Sequence, residues 1–115
     1  MELKSIADIR NEMTQAAKAA AAAKYAEIGG DRWACGFAWV TIQPEHKGNT
    51  KLGKAERERI RSLGFELDWT GKTFQMWNPS GHPCQNVDTK EAGAAAAARV
   101  LKGHGFNAYA GSRLD

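Results

Sequence analysis

Apolar residues recur at helical spacing in three stretches of the chain and alternate with small or polar residues in four others. The first pattern is typical of amphipathic helices, and the second of strands that bury one face. The helical spacing predicts helices over residues 6–27, over the stretch between a cap at 49–50 and a stop at Gly64, and over residues 89–102. The alternation predicts strands over residues 33–42, 65–69, 73–77 and 106–110.

Local signals indicate where some of these elements begin and end. Ser5 with Asp8, and Asp88 with Glu91, have the hydroxyl-or-acid and acid spacing of a capping box, which predicts a helix start at each place. Residues 111–115 follow the last predicted strand and are expected to form a tail.

The order of the predicted elements after the first helix is β-α-β-β-α-β. This is the ferredoxin-like, split βαβ pattern, in which the first and third strands are central and the two helices share one face of the sheet. We therefore expect an α+β chain with an N-terminal helix in residues 1–30 and a βαββαβ domain in residues 31–115. The two together should form one globular unit.

The strand predicted over residues 33–42 carries an unusual row of aromatic side chains. Side chains alternate between the faces of a strand, so residues 34, 36, 38, 40 and 42 form a face of small and aliphatic residues. That face suits packing against an alanine-rich helix. The other face carries Trp33, Cys35, Phe37, Trp39 and Thr41, and Trp77 and Tyr109 are candidates to join it. Either the N-terminal helix covers these aromatic rings as a second core layer, or the rings are exposed and bind a partner.

Residues 35–42, C-G-F-A-W-V-T-I, resemble the central octapeptide of RNA-recognition motifs, K/R-G-F/Y-G/A-F-V-x-F/Y. Cys35 departs at the basic position and Ile42 at the last aromatic one. The segment also falls on the first strand of the predicted fold, whereas that motif belongs on the third. The resemblance thus indicates an aromatic central strand that could stack bases, without membership of that family. The positions that fit are Gly36, Phe37, Ala38 and Val40.

A basic segment follows the aromatic strand. Loop cations beside the start of a helix can hold phosphate, because the backbone N–H groups and the helix dipole add to their charge. The alternative is a solvated helix face, which the interleaved Glu56 and Glu58 favour. The candidate phosphate contacts are Lys47, Lys51, Lys54 and Arg57.

Composition narrows the possible classes of function. The 115 residues carry a net charge of +3, which is compatible with nucleic acid but far from a DNA-wrapping protein. No apolar run approaches a membrane span, and the acidic N-terminal residues do not resemble a signal peptide, so we expect a cytoplasmic chain. His82 and Cys84 lack metal-site spacing and point poorly at each other across Pro83. We therefore expect no catalytic residue, no metal and no cofactor.

Residues 71–81, 90–94 and 112–115 together resemble small uncharacterised proteins carried by bacteriophages. The resemblance spans roughly the last half of the chain and implies a phage context, for which a binder of a host protein is a natural role. The sequence leaves two classes open. One is a module that binds single-stranded nucleic acid through the aromatic face and the basic segment. The other is a protein-binding factor that inhibits a host protein, or a homodimer formed through the sheet face or the helix stripe of Ala16, Ala17, Ala20 and Ala23.

Overall fold

The computed structural model describes residues 4–30, 34–84 and 86–114. These residues form an α+β structure with three helices and one four-stranded sheet, which confirms the predicted class. The elements in chain order are α1 (Ile6–Glu27), β1 (Gly36–Ile42), α2 (Lys51–Ser62), β2 (Glu66–Leu67), β3 (Phe74–Trp77), α3 (Val87–Gly103) and β4 (Ala108–Leu114).

The sheet is antiparallel throughout, in the order β2-β3-β1-β4, so that β1 and β3 occupy the two central positions. The register places Trp39 of β1 opposite Trp77 of β3 on one side and opposite Gly111 of β4 on the other. Strand β1 is shorter than predicted and begins at Gly36, after a single bridge between Cys35 and Asn86.

The first two helices begin at the residues that their capping signals indicate. The Ser5 hydroxyl accepts the N–H of Asp8 at 3.2 Å, and the Thr50 hydroxyl accepts the N–H of Gly53 at 3.0 Å. Each bond satisfies one backbone donor that the first turn of a helix leaves without an intrahelical partner. The predicted range of α1 is confirmed, and Thr50 is the cap of α2.

The predicted start of α3 is wrong by two residues. Helix α3 begins at Val87, and its cap is Asn86, whose side-chain oxygen accepts the N–H of Thr89 at 2.7 Å. Asp88 therefore lies inside the first turn, where its negative charge favours the helix dipole without capping it. An asparagine and an aspartate two positions apart are both good caps, and the sequence pattern alone favoured the wrong one.

The predicted tail is also wrong, because residues 111–114 belong to β4. The strand pairs with β1 without interruption, from Ala108 opposite Ile42 to Leu114 opposite Gly36. Its glycine, serine and arginine have weak strand propensity. The backbone hydrogen bonds to a central strand decide the outcome, and they cannot be read from the local sequence.

Helices α1 and α3 pack along each other over the face of the sheet that carries the small residues of β1. The core joins Ile9 and Met13 of α1 with Val40 of β1, Phe74 of β3 and Leu101 of α3, all almost fully buried. Ala17 and Ala21 of α1 are also fully buried. Three of the four residues of the expected interface stripe are thus used or shielded within the chain, since Ala17 is buried and Ala16 and Ala20 are partly buried, and Ala23 is exposed.

Helix α2 lies near the end of the sheet where Ile42, Phe74 and Ala108 share a row. Its buried Ile60 reaches the common core. Two of its arginines contact aromatic rings at this end: the guanidinium of Arg59 lies 5.2 Å from the ring centre of Phe106, and that of Arg61 lies 5.3 Å from Phe74. The helix that lies next to α3 over the sheet is therefore mainly α1, and not α2.

Candidate functional site

The face of the sheet opposite the helices presents four aromatic side chains, which we call the aromatic face: Phe37, Trp39, Trp77 and Tyr109. Phe37, Trp77 and Tyr109 are 37%, 50% and 43% exposed, and Trp39 is half-buried between its neighbours. The buried residues of α1 share a core with Ala38 and Val40, which point the other way along β1. Helix α1 therefore does not cover these rings, and within the described residues the aromatic face is open.

Three of the rings contact one another. The ring centres of Trp39 and Trp77 lie 4.9 Å apart with planes tilted by 42°, and those of Phe37 and Trp77 lie 6.2 Å apart in a T-shaped arrangement. Tilted and edge-on contacts of this kind are favourable beyond the area that they bury. They hold the three rings as one patch, and the outer surface of Trp77 stays accessible.

Gly111 on β4 provides the space in which the Trp39 indole lies. A β-carbon at this position would come within 2.8 Å of three atoms of the indole. Any larger residue would therefore push the ring away from the sheet. This requirement explains a glycine in the middle of a strand, where glycine normally costs stability.

Two cations flank Phe37. The Lys90 ammonium lies 5.5 Å from the ring centre and donates a hydrogen bond of 3.0 Å to the carbonyl oxygen of Gly36. The Arg113 guanidinium lies 5.4 Å from the same ring centre. Both distances are within the range of cation–π attraction. The Phe37 end of the aromatic face is therefore positively charged.

The structure brings together only some of the residues that the sequence indicated. Phe37, Trp39 and Trp77 form the patch described above, whereas Trp33 lies outside the described residues. Lys47, Lys51 and Lys54 are exposed in the loop after β1 and in the first turns of α2, on the helical side of the molecule. The loop follows the end of β1, whereas Phe37 lies near its start, so the length of the strand, roughly 20 Å, separates them.

Arg57, the fourth predicted phosphate contact, holds the loop before α2. It donates hydrogen bonds to the carbonyl oxygens of His46 and Gly53, at 2.8 and 3.1 Å. The Glu56 carboxylate accepts the backbone N–H groups of Glu45 and His46 in the same loop, at 2.8 and 3.0 Å. These contacts give both side chains a structural role.

A groove of about 280 Å³ lies at the same end of the molecule, between α2 and the segment before β4, with His46, Arg59 and His104 among its lining residues. His104 Nε2 lies 3.1 Å from the Glu12 carboxylate, which also accepts a hydrogen bond from Lys4. The Lys4 hydrogen bond, followed by that of His104, lowers the pKa of Glu12. Across the described residues, no three His, Cys, Asp or Glu side chains cluster as metal ligands would.

Sequence reasoning missed the two cations of the site. Arg113 falls in the predicted tail. Tyr109, Gly111 and Arg113 alternate along β4 and therefore share one face, but this pattern is informative only once the segment is recognised as a strand. Lys90 lies in α3 and reaches the end of β1 only through the tertiary fold, so no local signal marks it.

Comparisons of this chain with protein-family models, with curated proteins and with solved structures found no match. Among the residues that the structure describes, no helix is both long enough and apolar enough to cross a membrane.

Proposed function

We propose that this chain binds single-stranded nucleic acid through the aromatic face. The observation that carries the proposal is the open patch of Phe37, Trp39 and Trp77, with two cations at one end and no described helix over it. A free aromatic surface flanked by cations is the arrangement by which proteins stack unpaired bases and neutralise the adjacent phosphates.

Each residue of the face has a definite part in this proposal. The outer surface of Trp77 stacks one base, and Tyr109 stacks a second base further along the sheet. Arg113 and Lys90 contact phosphates near Phe37. Because any base offers a flat surface to an aromatic ring, the binding is expected to tolerate many sequences.

We further propose that the domain is ferredoxin-like in its strand arrangement. The order β2-β3-β1-β4, with β1 and β3 central, supports this assignment. The helical layer is a variation on it, since α1 packs beside α3 where α2 would be expected. The exposed thiol of Cys35 supports a reducing, cytoplasmic setting.

The test is the binding of fluorescein-labelled dT and rU oligonucleotides, which is measured by fluorescence anisotropy and by tryptophan quenching. Trp77→Ala should weaken binding by about 1–3 kcal/mol, which is the usual value for one stacked base. The change should leave the fold intact, because Trp77 is half-exposed. Arg113→Ala should weaken binding evenly and reduce the salt slope by about one unit.

Trp69 provides the matched control. It is 94% exposed and lies in the turn region between β2 and β3. Trp69→Ala should leave affinity unchanged. Lys51→Ala tests whether the predicted phosphate contacts on α2 take part, and we expect a much smaller effect than for Arg113→Ala. Absence of binding at low salt and ~100 µM protein, a concentration in the non-specific range, would contradict the proposal.

A protein partner on the same face is the second candidate, and the contiguity of the exposed rings favours it. Contiguous exposed aromatic rings often mark protein interaction sites. The phage resemblance implies a host protein as this partner. Such a protein would cover Trp77 and Phe37, and these rings would then not stack on bases. If oligonucleotides do not bind and Trp77→Ala abolishes capture of a protein from nuclease-treated host lysate, this second candidate replaces the first.

A further inference from the structure

Strand β4 forms one edge of the sheet, and the other side of the strand has no described partner. It pairs with β1 over seven consecutive residues without a bulge. Asn107 accepts the N–H of Gln43 at 2.9 Å, so the odd-numbered residues of this segment direct their backbone groups to β1. The even-numbered residues therefore direct N–H and C=O outward. They are Ala108, Ala110, Ser112 and Leu114.

Natural sheets normally protect such an edge with a proline, a lysine, a bulge or a very short strand. The opposite edge, β2, is protected in this way because it is only two residues long. Strand β4 contains neither proline nor lysine, its one charged residue, Arg113, lies over the Phe37 ring of β1, and its register with β1 is continuous. The edge is thus suited to pairing with another strand.

The sequence of β4 is complementary to itself in an antiparallel pair centred on Gly111. In this register Tyr109 lies opposite Arg113 of the second copy on the open face, which is a favourable pair of an aromatic ring and a cation. Along the two strands no like charges lie opposite each other. The outward-directed residues pair with one another. Ala110 and Ser112 exchange hydrogen bonds, and the Ala108 carbonyl accepts the N–H of Leu114, because the N–H of Ala108 already donates to the Phe106 carbonyl of its own chain.

Neighbouring registers are less favourable. Centring the pair on Ala110 places Arg113 opposite Asn107, which precedes the first residue of the other strand. Centring it on Ser112 places Arg113 opposite Gly111, which offers no ring. Only the register centred on Gly111 pairs all seven residues.

The helical layer accommodates this pairing. Helix α3 contacts both β1 and β4, and the Ser112 hydroxyl donates a 2.7 Å hydrogen bond to the Glu91 carboxylate above it. With strands about 4.8 Å apart, two copies of α3 placed over their own β1–β4 pairs would lie roughly 10 Å from each other. Such a separation matches that of packed helices and suits the small residue Ala95, one turn beyond Glu91.

We propose that two copies of this chain pair through β4 about a two-fold axis at Gly111, and form one continuous eight-stranded sheet. Both aromatic faces then lie on the same side. Tyr109 and Arg113 of each copy meet at the centre of the joined surface, so each copy completes the other's face. The pairing does not depend on nucleic acid.

The mass of the free protein tests this proposal. Sedimentation of the wild type at about 200 µM should give twice the 12.5 kDa of one chain, with dissociation on dilution. Ser112→Pro removes an outward N–H that takes no part in the ladder to β1, so the variant should fold and remain a monomer. Ser112→Ala is the matched control, since it removes the contact to Glu91 but keeps the N–H, and it should dimerise.

Hydrogen exchange gives a reading that needs no variant. The N–H groups of Ala110 and Ser112 should be protected at high concentration and exchange rapidly on dilution, whereas those of Gly111 and Arg113 stay protected throughout. A monomer at about 200 µM, a dimeric Ser112→Pro, or protection of Ser112 that does not change with concentration would each overturn the proposal.

Discussion

Gly93 lies where helix α3 approaches helix α1 and the loop before α3 closely. A β-carbon at this position would lie 2.8 Å from the β-carbon of Ser80 and 3.2 Å from the carbonyl oxygen of Ala17. Ser80 has little freedom to move away, because its hydroxyl donates to Asn78 and accepts the N–H of His82. The Ala17 oxygen belongs to the backbone of α1. Gly93→Ala should therefore force the two helices apart.

Two opposing effects set the size of the change. Alanine in place of glycine inside a helix gains about 1 kcal/mol of stability. Overpacking of a close contact costs about 1–3 kcal/mol. Gly103 separates the two effects, because it lies at the end of the same helix and a β-carbon there would meet nothing within 4 Å.

Gly103→Ala should thus raise stability by roughly 0.5–1 kcal/mol, and Gly93→Ala should be less stable than this control by about 1–3 kcal/mol. Urea unfolding, monitored by circular dichroism, measures the stability of both variants. The packing of α1 on α3 is what leaves the aromatic face uncovered, so the comparison also tests the site. If Gly93→Ala were as stable as Gly103→Ala, the described contact between these helices would be wrong.

Two further predictions concern the core and the turn between β2 and β3. Ala38→Leu should lower the free energy of unfolding by about 1–3 kcal/mol, because Ala38 is fully buried in the core that residues of α1 and α3 share. The exposed Ala22→Leu should change the urea midpoint little. An unchanged midpoint for Ala38→Leu would mean that the two faces of β1 are assigned the wrong way round. Hydrogen bonds from Thr70 and then Thr73 lower the pKa of Asp68 to about 2, from 3.8. This contribution to stability is present above pH ~4 and is lost as the pH falls towards ~2, so the urea midpoint of the wild type should fall across this window more steeply than that of Asp68→Asn, and equal slopes would refute the role of these bonds.

The positions of the helices were largely predictable, because helix formation depends on local signals. The spacing of Ile9 and Met13, the run of alanines and the cap at Ser5 are all contained within one segment. The same holds for the cap at Thr50. Where two nearby residues were both suitable caps, as at Asn86 and Asp88, local reasoning could not choose between them, since the choice depends on how the chain enters the helix.

The strands were predicted less well, because a strand is stabilised by partners that are distant in sequence. Residues 111–114 have no strand signal of their own and become a strand only by pairing with β1. Glu66–Leu67 is shorter than its apolar pattern suggested, since the neighbouring Asp68 is used to form the turn.

The sequence by itself determined that the chain has an aromatic face on its first strand, because alternation places Phe37 and Trp39 on the same side of any strand. Only the tertiary structure decided whether that face is covered. Helix α1 packs on α3 through Met13 and Ala17, on the other side of the sheet, since those residues fit the small side chains there. The cations Lys90 and Arg113 reach Phe37 from elements distant in sequence, and their arrangement depends on chain topology, which no local pattern encodes.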